Sequence, residues 1–106
     1  MTDIKDIAEQ LREFAAARDW EQFHTPKNLA MALAGAAGEL LAEYQWLTPE
    51  ESTDVMNHPD IGPAVTDELA DVAIYLIRLA DVLGVDLADA ADAKILRNEE
   101  RFPPGR

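Results

Sequence analysis

Residues 63–83, PAVTDELADVAIYLIRLADVL, predict one long, central helix. Apolar residues recur every three or four positions along this stretch, which is the spacing of one face of an α-helix. We expect that face to be buried, and its members are Val65, Leu69, Val72, Leu76, Leu79 and Leu83. Ile74 and Ile77 extend the apolar surface beyond it, so the helix should lie among other helices. Gly84 should end the helix, because glycine readily adopts the left-handed conformation found after a helix C-terminus.

Helix-boundary signals divide the rest of the chain. Thr25-Pro26 combines an N-cap residue with proline at the first helical position, and Asp86 is a second N-cap candidate. Residues 48–51, TPEE, form a capping box. Further helices are therefore predicted over about residues 3–18, 26–45, 49–56 and 87–101. Since no strand pattern competes, the fold class should be all-α, most simply a four-helix bundle.

Composition limits the classes of function. The 106 residues suit one domain, and this length buries only a modest core, so an oligomer is plausible. The formal net charge of −12 disfavours nucleic acid polymers and anionic membranes as partners. The chain has no cysteine, which excludes disulfides and thiolate metal sites. We find neither a signal-peptide pattern nor an apolar run that could span a bilayer, and a cytoplasmic location fits.

Residues 30–38 consist almost wholly of alanine and glycine. Gly35 and Gly38 lower the helix propensity of this segment. Their presence predicts close approach by a neighbouring helix or a ligand.

Two predicted helices each carry a pair of acidic residues. Glu68 and Asp71 are three positions apart, and Glu39 and Glu43 are four apart, so each pair shares one helix face. Either pair alone is typical of a solvated helix edge. Together they predict a cation site if the two helices pack antiparallel. Oxygen ligands select Mg²⁺, Mn²⁺ or Ca²⁺ over zinc, and protein-bound Mg²⁺ usually contacts phosphates.

The last predicted helix carries a group of cationic and amide side chains. Lys94, Asn98 and Arg101 share one face, and Arg97 is adjacent. Such residues near a helix C-terminus also suit the helix dipole, so a structural role stays open. Because the chain has only nine lysines and arginines, the group is a candidate phosphate-binding surface.

Trp20 and Trp46 each lie at a predicted helix junction. A ring there could stack on a nucleobase, an interaction of about 1–3 kcal/mol per base, or could instead close one end of the core. Glu21 and His24 form a Glu-x-x-His pair like those of di-iron bundles. A di-iron site needs two such pairs, and Val55 stands where His58 would require glutamate.

Beyond these separate signals, nearly the whole chain resembles the all-α nucleoside triphosphate pyrophosphohydrolases of the MazG-like type, and most closely their dCTP pyrophosphatase branch. The stretches that carry the resemblance are RDWEQFHTPKNLAMALAGAAGELLAEYQWLTPEE (18–51), DELADVAIYLIRLADVLGVDL (67–87) and AKILRNEERFP (93–103). The resemblance implies a single domain over residues 1–106 that cleaves a triphosphate between the α- and β-phosphates. The products would be a monophosphate and pyrophosphate.

The resemblance also implies a site. Mg²⁺, with Mn²⁺ as an alternative, would be held by Glu39, Glu68 and Asp71. Trp20 and Trp46 match base-stacking rings, and Tyr75, Lys94 and Asn98 match residues that hold sugar and phosphates. The remaining substrate-binding candidates are His24, Arg97 and Arg101. The family forms dimers or tetramers whose sites draw on neighbouring subunits, so a homodimer or homotetramer is expected.

Position 36 departs from the family pattern. A glutamate is expected there as the first member of an E-x-x-E pair that ends at Glu39, and this chain has Ala36. Glu43 is a partial substitute at a different position. A divergent homologue, a naturally weak enzyme and a deliberate substitution would each explain Ala36, and the otherwise intact pattern favours the last.

The substrate and the catalytic competence stay open at this point. The resemblance favours dCTP or a modified cytidine triphosphate, while dUTP or a broad housecleaning range are alternatives. A non-catalytic helical dimer that binds nucleotides or a protein is the alternative from another class, and Ala36 keeps it open.

Overall fold

The computed structural model describes residues 2–105, which form an all-helical fold. The α-helices are α1 (Ile4–Ala17), α2 (Pro26–Tyr44), α3 (Pro49–Ser52), α4 (Ile61–Leu83) and α5 (Leu87–Arg101). Two 3₁₀ turns, Glu21–Phe23 and Val55–Asn57, lie before α2 and α4. No β-strand occurs in this part of the chain, which confirms the predicted all-α class.

Side-chain caps fix most of the predicted helix boundaries. The Thr25 hydroxyl accepts the N–H of Asn28 at 3.2 Å, and Asp86 accepts that of Asp89 at 3.0 Å. The capping box is present at the start of α3. Gly84 follows α4 with a φ of 71°, the left-handed conformation expected of it.

The start of α4 differs from the prediction by two residues. Nδ1 of His58 accepts the backbone N–H groups of Asp60 at 3.1 Å and Ile61 at 3.0 Å. This imidazole cap satisfies backbone donors that a helix N-terminus leaves free, so the helix begins before Pro63. His58 therefore has a structural role in the chain.

The short helix predicted over 49–56 is interrupted. α3 ends at Ser52, and the hydroxyls of Ser52 and Thr53 donate to backbone carbonyl oxygens at 2.6 and 2.7 Å. The chain then passes close to the start of α4. A Cβ on Gly62 would lie 3.1 Å from the carbonyl oxygen of Met56, so this close crossing favours glycine.

α4 is the central helix, as predicted, because both α1 and α2 pack against it and the α2 contact is the most extensive. The buried apolar side chains are small and few. They are Ala15, Leu29, Ala36, Val55, Val65, Ile77 and Ala80. Among residues 2–105, none of the helices combines the length and the hydropathy that a membrane-spanning segment needs.

The buried face predicted for α4 is only partly correct. Val65 is buried, but Leu69 is 53% exposed and Leu83 is 55% exposed. Ile77 and Ala80 are buried in their place. The cause is that α4 is covered by α1, α2 and the 3₁₀ turn Val55–Asn57, and these leave Leu69 and Leu83 on its more exposed side.

α5 stands apart from the other helices. It has no buried residue, and Ile95 and Leu96 are 54% and 63% exposed. A closed four-helix bundle is therefore not confirmed for the single chain. No other helix of the described chain approaches Gly35 or Gly38, because apart from the adjacent part of α2 no atom of residues 2–105 lies within 4 Å of a Cβ built at either position. The close approach by a ligand stays a prediction.

Candidate functional site

The antiparallel packing of α2 on α4 brings the predicted acidic residues together. His24, just before α2, bonds to Arg78 near the end of α4, and Glu39 lies beside Glu68 in the first half of α4. Residue numbers thus rise along α2 as they fall along α4. Glu39, Glu68 and Asp71 each offer one oxygen, and these oxygens all lie within 4.8 Å of one another. We call these three residues the acidic triad.

Glu68 is the least exposed member of the triad. Its Oε2 is buried and has no hydrogen-bond partner in the described part of the chain. Burial raises the pKa of the Glu68 carboxyl, and the negative charges of Glu39, Asp71 and Glu43 raise it further. A divalent cation would satisfy the unpartnered oxygen and offset the repulsion. Since every donor is a carboxylate oxygen, the set fits a hard cation such as Mg²⁺, Mn²⁺ or Ca²⁺.

The two other candidate metal positions, Glu43 and Ala36, lie on the same helix as Glu39. Glu43 is half-buried, and its charge acts on Glu68, but its oxygens are not among those of the triad. Ala36 is only 5% exposed and lies one turn before Glu39. Because α2 packs chiefly on α4, this buried position faces α4. A longer acidic side chain at position 36 would therefore point toward the triad's helix.

Aromatic rings cluster at the other end of the α2–α4 pair. The Trp20 ring meets Phe14 edge-on at 5.6 Å and His24 at 6.4 Å between centroids. Trp46 is 86% exposed beyond the C-terminus of α2, so this chain does not bring the two tryptophans together. Tyr75 is 36% exposed on α4, between Asp71 and Arg78 in sequence.

The cationic group of α5 is not brought to the triad within one chain. Lys94, Arg97 and Arg101 are exposed, and Asn98 is half-buried. α5 makes no extensive contact with another helix. The salt bridges found among residues 2–105 involve Arg12, Arg78 and Asp81 instead.

The charged residues just named form a network for which sequence analysis predicted no function. The Arg12 guanidinium donates to both oxygens of Asp81, at 2.9 and 3.1 Å, and these hydrogen bonds hold the pKa of that carboxyl below its usual range. Arg78 is 7% exposed and contacts both Asp81 and His24. The available signal was Arg78 as the one basic residue of α4, three residues before an aspartate. A groove of about 710 Å³ beside Arg12 contains none of the predicted site residues.

Comparison with known proteins gives consistent matches. The family model described as MazG-like matches residues 34–104. The dCTP pyrophosphatase 1 of Rattus norvegicus is 44% identical over 100 residues, and that of Homo sapiens is 45% identical over 100 residues. Each alignment covers 94% of this chain and 59% of the relative, so the chain spans about three-fifths of their length.

A solved structure gives the same result for the fold. A pyrophosphatase from Archaeoglobus fulgidus superposes with a TM-score of 0.87 at 35% identity, covering 97% of this chain and 94% of that one. The fold match and the family model thus point to the same family. The chain belongs to the MazG-like family.

Proposed function

We propose that this protein is a Mg²⁺-dependent nucleoside triphosphate pyrophosphohydrolase. It converts dCTP or a modified cytidine triphosphate to the monophosphate and pyrophosphate. The observation that carries the proposal is the acidic triad, in which carboxylates from two helices converge around an unpartnered Glu68 oxygen. The choice of cytidine nucleotides rests on relatives that are named as dCTP pyrophosphatases.

Within this proposal, Glu39, Glu68 and Asp71 hold the cation. A bound divalent cation supplies charge neutralisation for the triphosphate and polarises its phosphoryl oxygens. An acidic protein with a net charge of −12 repels a free triphosphate, so the cation also makes binding electrostatically feasible. Mg²⁺ fits best because it normally shares its coordination between a few carboxylates and substrate phosphates.

The nucleoside would bind at the aromatic cluster. The Trp20 side chain is 44% exposed, so part of its ring is accessible for stacking on a base. His24, beside it, offers a hydrogen-bonding ring. Tyr75 lies on α4 between Asp71 of the triad and Arg78, which contacts His24. Trp46 lies at the opposite end of α2 from Trp20, so it would reach the base site from a neighbouring copy of the chain.

We also propose that the active form is a homodimer or homotetramer in which a second copy covers α5. Supporting this, α5 exposes Ile95 and Leu96 and carries the cationic group, yet packs on no other helix extensively. A neighbouring copy would complete the four-helix bundle and bring Lys94, Arg97, Asn98 and Arg101 to a triphosphate. That residues 1–106 act as one such domain, and that the location is cytoplasmic, stay predictions.

The test is a panel of triphosphates incubated with the protein and Mg²⁺, with the products separated by ion-exchange chromatography. We expect dCMP and pyrophosphate in equal amounts from dCTP, and no orthophosphate. Competition assays against dCTP would rank the substrates, with modified cytidine triphosphates, dUTP and the remaining triphosphates as competitors. Omission of Mg²⁺ should abolish the reaction, and Mn²⁺ should restore it partly.

Matched variants connect the reaction to the triad. Asp71→Asn should remove activity, whereas Asp67→Asn makes the same charge change at an exposed position outside the triad and should not. Equal activity in both variants would contradict the proposed site. Binding of dCTP and Mg²⁺ without turnover, also after Ala36→Glu, would favour the non-catalytic nucleotide-binding module.

A further inference from the structure

Arg78 is a buried cation that lies outside the acidic triad. Its side chain is 8% exposed on α4, and its Nε donates a hydrogen bond to Nδ1 of His24 at 3.0 Å. Its Nη1 lies 3.5 Å from Asp81, whose carboxylate is also bound by Arg12. A buried charge is costly unless it is paired, and the shared Asp81 supplies that pairing. The Nε–H is thereby left for the imidazole.

The direction of this hydrogen bond determines the state of His24. A guanidinium can only donate, so Nδ1 of His24 must accept. An imidazole that accepts at Nδ1 is neutral and carries its hydrogen on Nε2. His24 therefore presents one uncharged N–H donor on the side of the ring away from Arg78.

The charges around His24 favour the same state. Burial lowers the pKa of His24, the Arg78 cation lowers it further, and Glu21 in the same connector opposes this only partly. From α4, the facing charged groups are Arg78 and Asp81, and from α1 Arg12 is bound to Asp81. The ring thus stays neutral at physiological pH, and protonation would replace the hydrogen bond with repulsion between two cations.

The same contact anchors the connector between α1 and α2. The backbone N–H of Trp20 donates to the carbonyl oxygen of Ala15 at 3.0 Å. The side-chain amide of Asn28 donates to the carbonyl oxygen of Phe23, also at 3.0 Å. His24, between these two points, is tied to α4 through Arg78 alone among the hydrogen bonds found here. Its orientation beside the Trp20 ring therefore depends on the guanidinium.

We propose that Arg78 is a positioning residue that holds His24 as the neutral Nε2–H tautomer, so that the nucleotide meets one oriented, uncharged donor beside Trp20. The inference rests on the proposed function only in assigning Trp20 and His24 to the nucleotide site. A neutral donor lacks the charge that favours phosphate, and beside Trp20 it is placed to reach an uncharged acceptor on the base or sugar. Arg78 thereby contributes to nucleoside selection without touching the nucleotide.

The direct test is nitrogen-15 NMR of the two histidine rings as a function of pH. In the wild-type protein, His24 should show the Nε2–H tautomer and a titration midpoint below the ordinary histidine range. His58 is an internal control, since backbone N–H groups occupy its Nδ1 and it has no contact with Arg78. A His24 ring with its hydrogen on Nδ1 in the wild-type protein would overturn the proposal without any variant.

Two variants separate the hydrogen bond from the charge. Arg78→Met removes both, so the His24 midpoint should rise and the tautomer preference should be lost. Arg78→Lys keeps a cation but has carbon at the position of Nε, so the midpoint should stay low while the tautomer preference is lost. An unchanged His24 spectrum in Arg78→Met would refute the proposal, and His58 should not change in either variant.

Steady-state kinetics with dCTP provides a second readout. Loss of one oriented hydrogen bond should raise KM for Arg78→Met by about 3- to 10-fold, with a smaller change in kcat. In a His24→Gln background, Arg78→Met should cause little further increase in KM. If hydrolysis is absent, also after Ala36→Glu, while the His24 tautomer is as expected, the proposed function fails and the role of Arg78 in fixing His24 stands. A KM effect of Arg78→Met that is equally large in both backgrounds would contradict the positioning role.

Discussion

Replacement of Ala36 by glutamate tests whether position 36 belongs to a cation site. Ala36 is 5% exposed and faces α4, one turn before Glu39. Without a cation, a new carboxylate within the 4.8 Å that spans the triad oxygens would be repelled by about 3.5 kcal/mol per partner at an effective dielectric constant of 20. Solvent around the exposed triad members screens this, and about 1–2 kcal/mol remains. We therefore expect the metal-free Ala36→Glu variant to melt about 5–10 °C below the parent.

Mg²⁺ should reverse this order. A ligand present at about 100 times its Kd stabilises the native state by about 2.7 kcal/mol, which exceeds the expected repulsion. A fourth carboxylate should also tighten Mg²⁺ binding. The expected gain is about 10- to 100-fold if its effect matches that of residues that hydrogen-bond to metal ligands. A positioned metal function contributes several kcal/mol to catalysis, and about 3 kcal/mol corresponds to about 100-fold in kcat.

The assays are thermal melting with and without Mg²⁺ and hydrolysis of dCTP. Ala37→Glu is the matched control, because it adds the same charge to the exposed neighbouring position. Ala36→Gln adds nearly the same volume without charge, so it reports overpacking alone. The reasoning would be refuted if Ala36→Glu gained no more from Mg²⁺ than Ala37→Glu and hydrolysed dCTP no faster than the parent.

Three further predictions concern stability. The pKa of Glu68 is raised in the fold, so its contribution to the free energy of unfolding is favourable at acid pH and is lost as pH rises. Glu68→Gln should therefore raise the melting temperature of the metal-free protein at pH 7 and give no gain near pH 4. The pKa of Asp81 is lowered, so its contribution to the free energy of unfolding is present above the ordinary aspartate range and is lost as pH falls. Asp81→Asn should therefore lower the melting temperature at pH 7. Near pH 2 the difference in melting temperature between variant and parent should shrink. Gly62→Ala should cost about 1–3 kcal/mol in urea unfolding, because its Cβ would lie 3.1 Å from a backbone oxygen, whereas Gly35→Ala, with nothing within 4 Å, should gain about 0.5–1 kcal/mol.

The helix boundaries were predictable because they depend on neighbours in sequence. Thr25-Pro26 and the capping box of residues 48–51 act through bonds that span three residues, so their effect can be read from the chain directly. The exception is α4, whose cap comes from an imidazole. His58 is not a usual capping residue, so no local pattern indicated this cap.

Tertiary contacts were predictable only where two local patterns had to meet. Periodicity put each acid pair on one helix face, and antiparallel packing then brought Glu39 to Glu68 and Asp71. Burial of Leu69 and Leu83 could not be judged, since it depends on which side of α4 a neighbour covers. The bond between His24 and Arg78 joins residues 54 positions apart, and no local pattern predicts it.

α4 also works as a rigid spacer. Glu68 lies in its first half and Arg78 ten residues later, which corresponds to about 15 Å along a straight helix. One residue inserted between them would lengthen this interval by about 1.5 Å and turn one end by about 100° relative to the other. Because both ends belong to one helix, the distance between the acidic triad and Arg78, with its bound His24 imidazole, is coupled to their relative direction. Any insertion or deletion between them changes both at once.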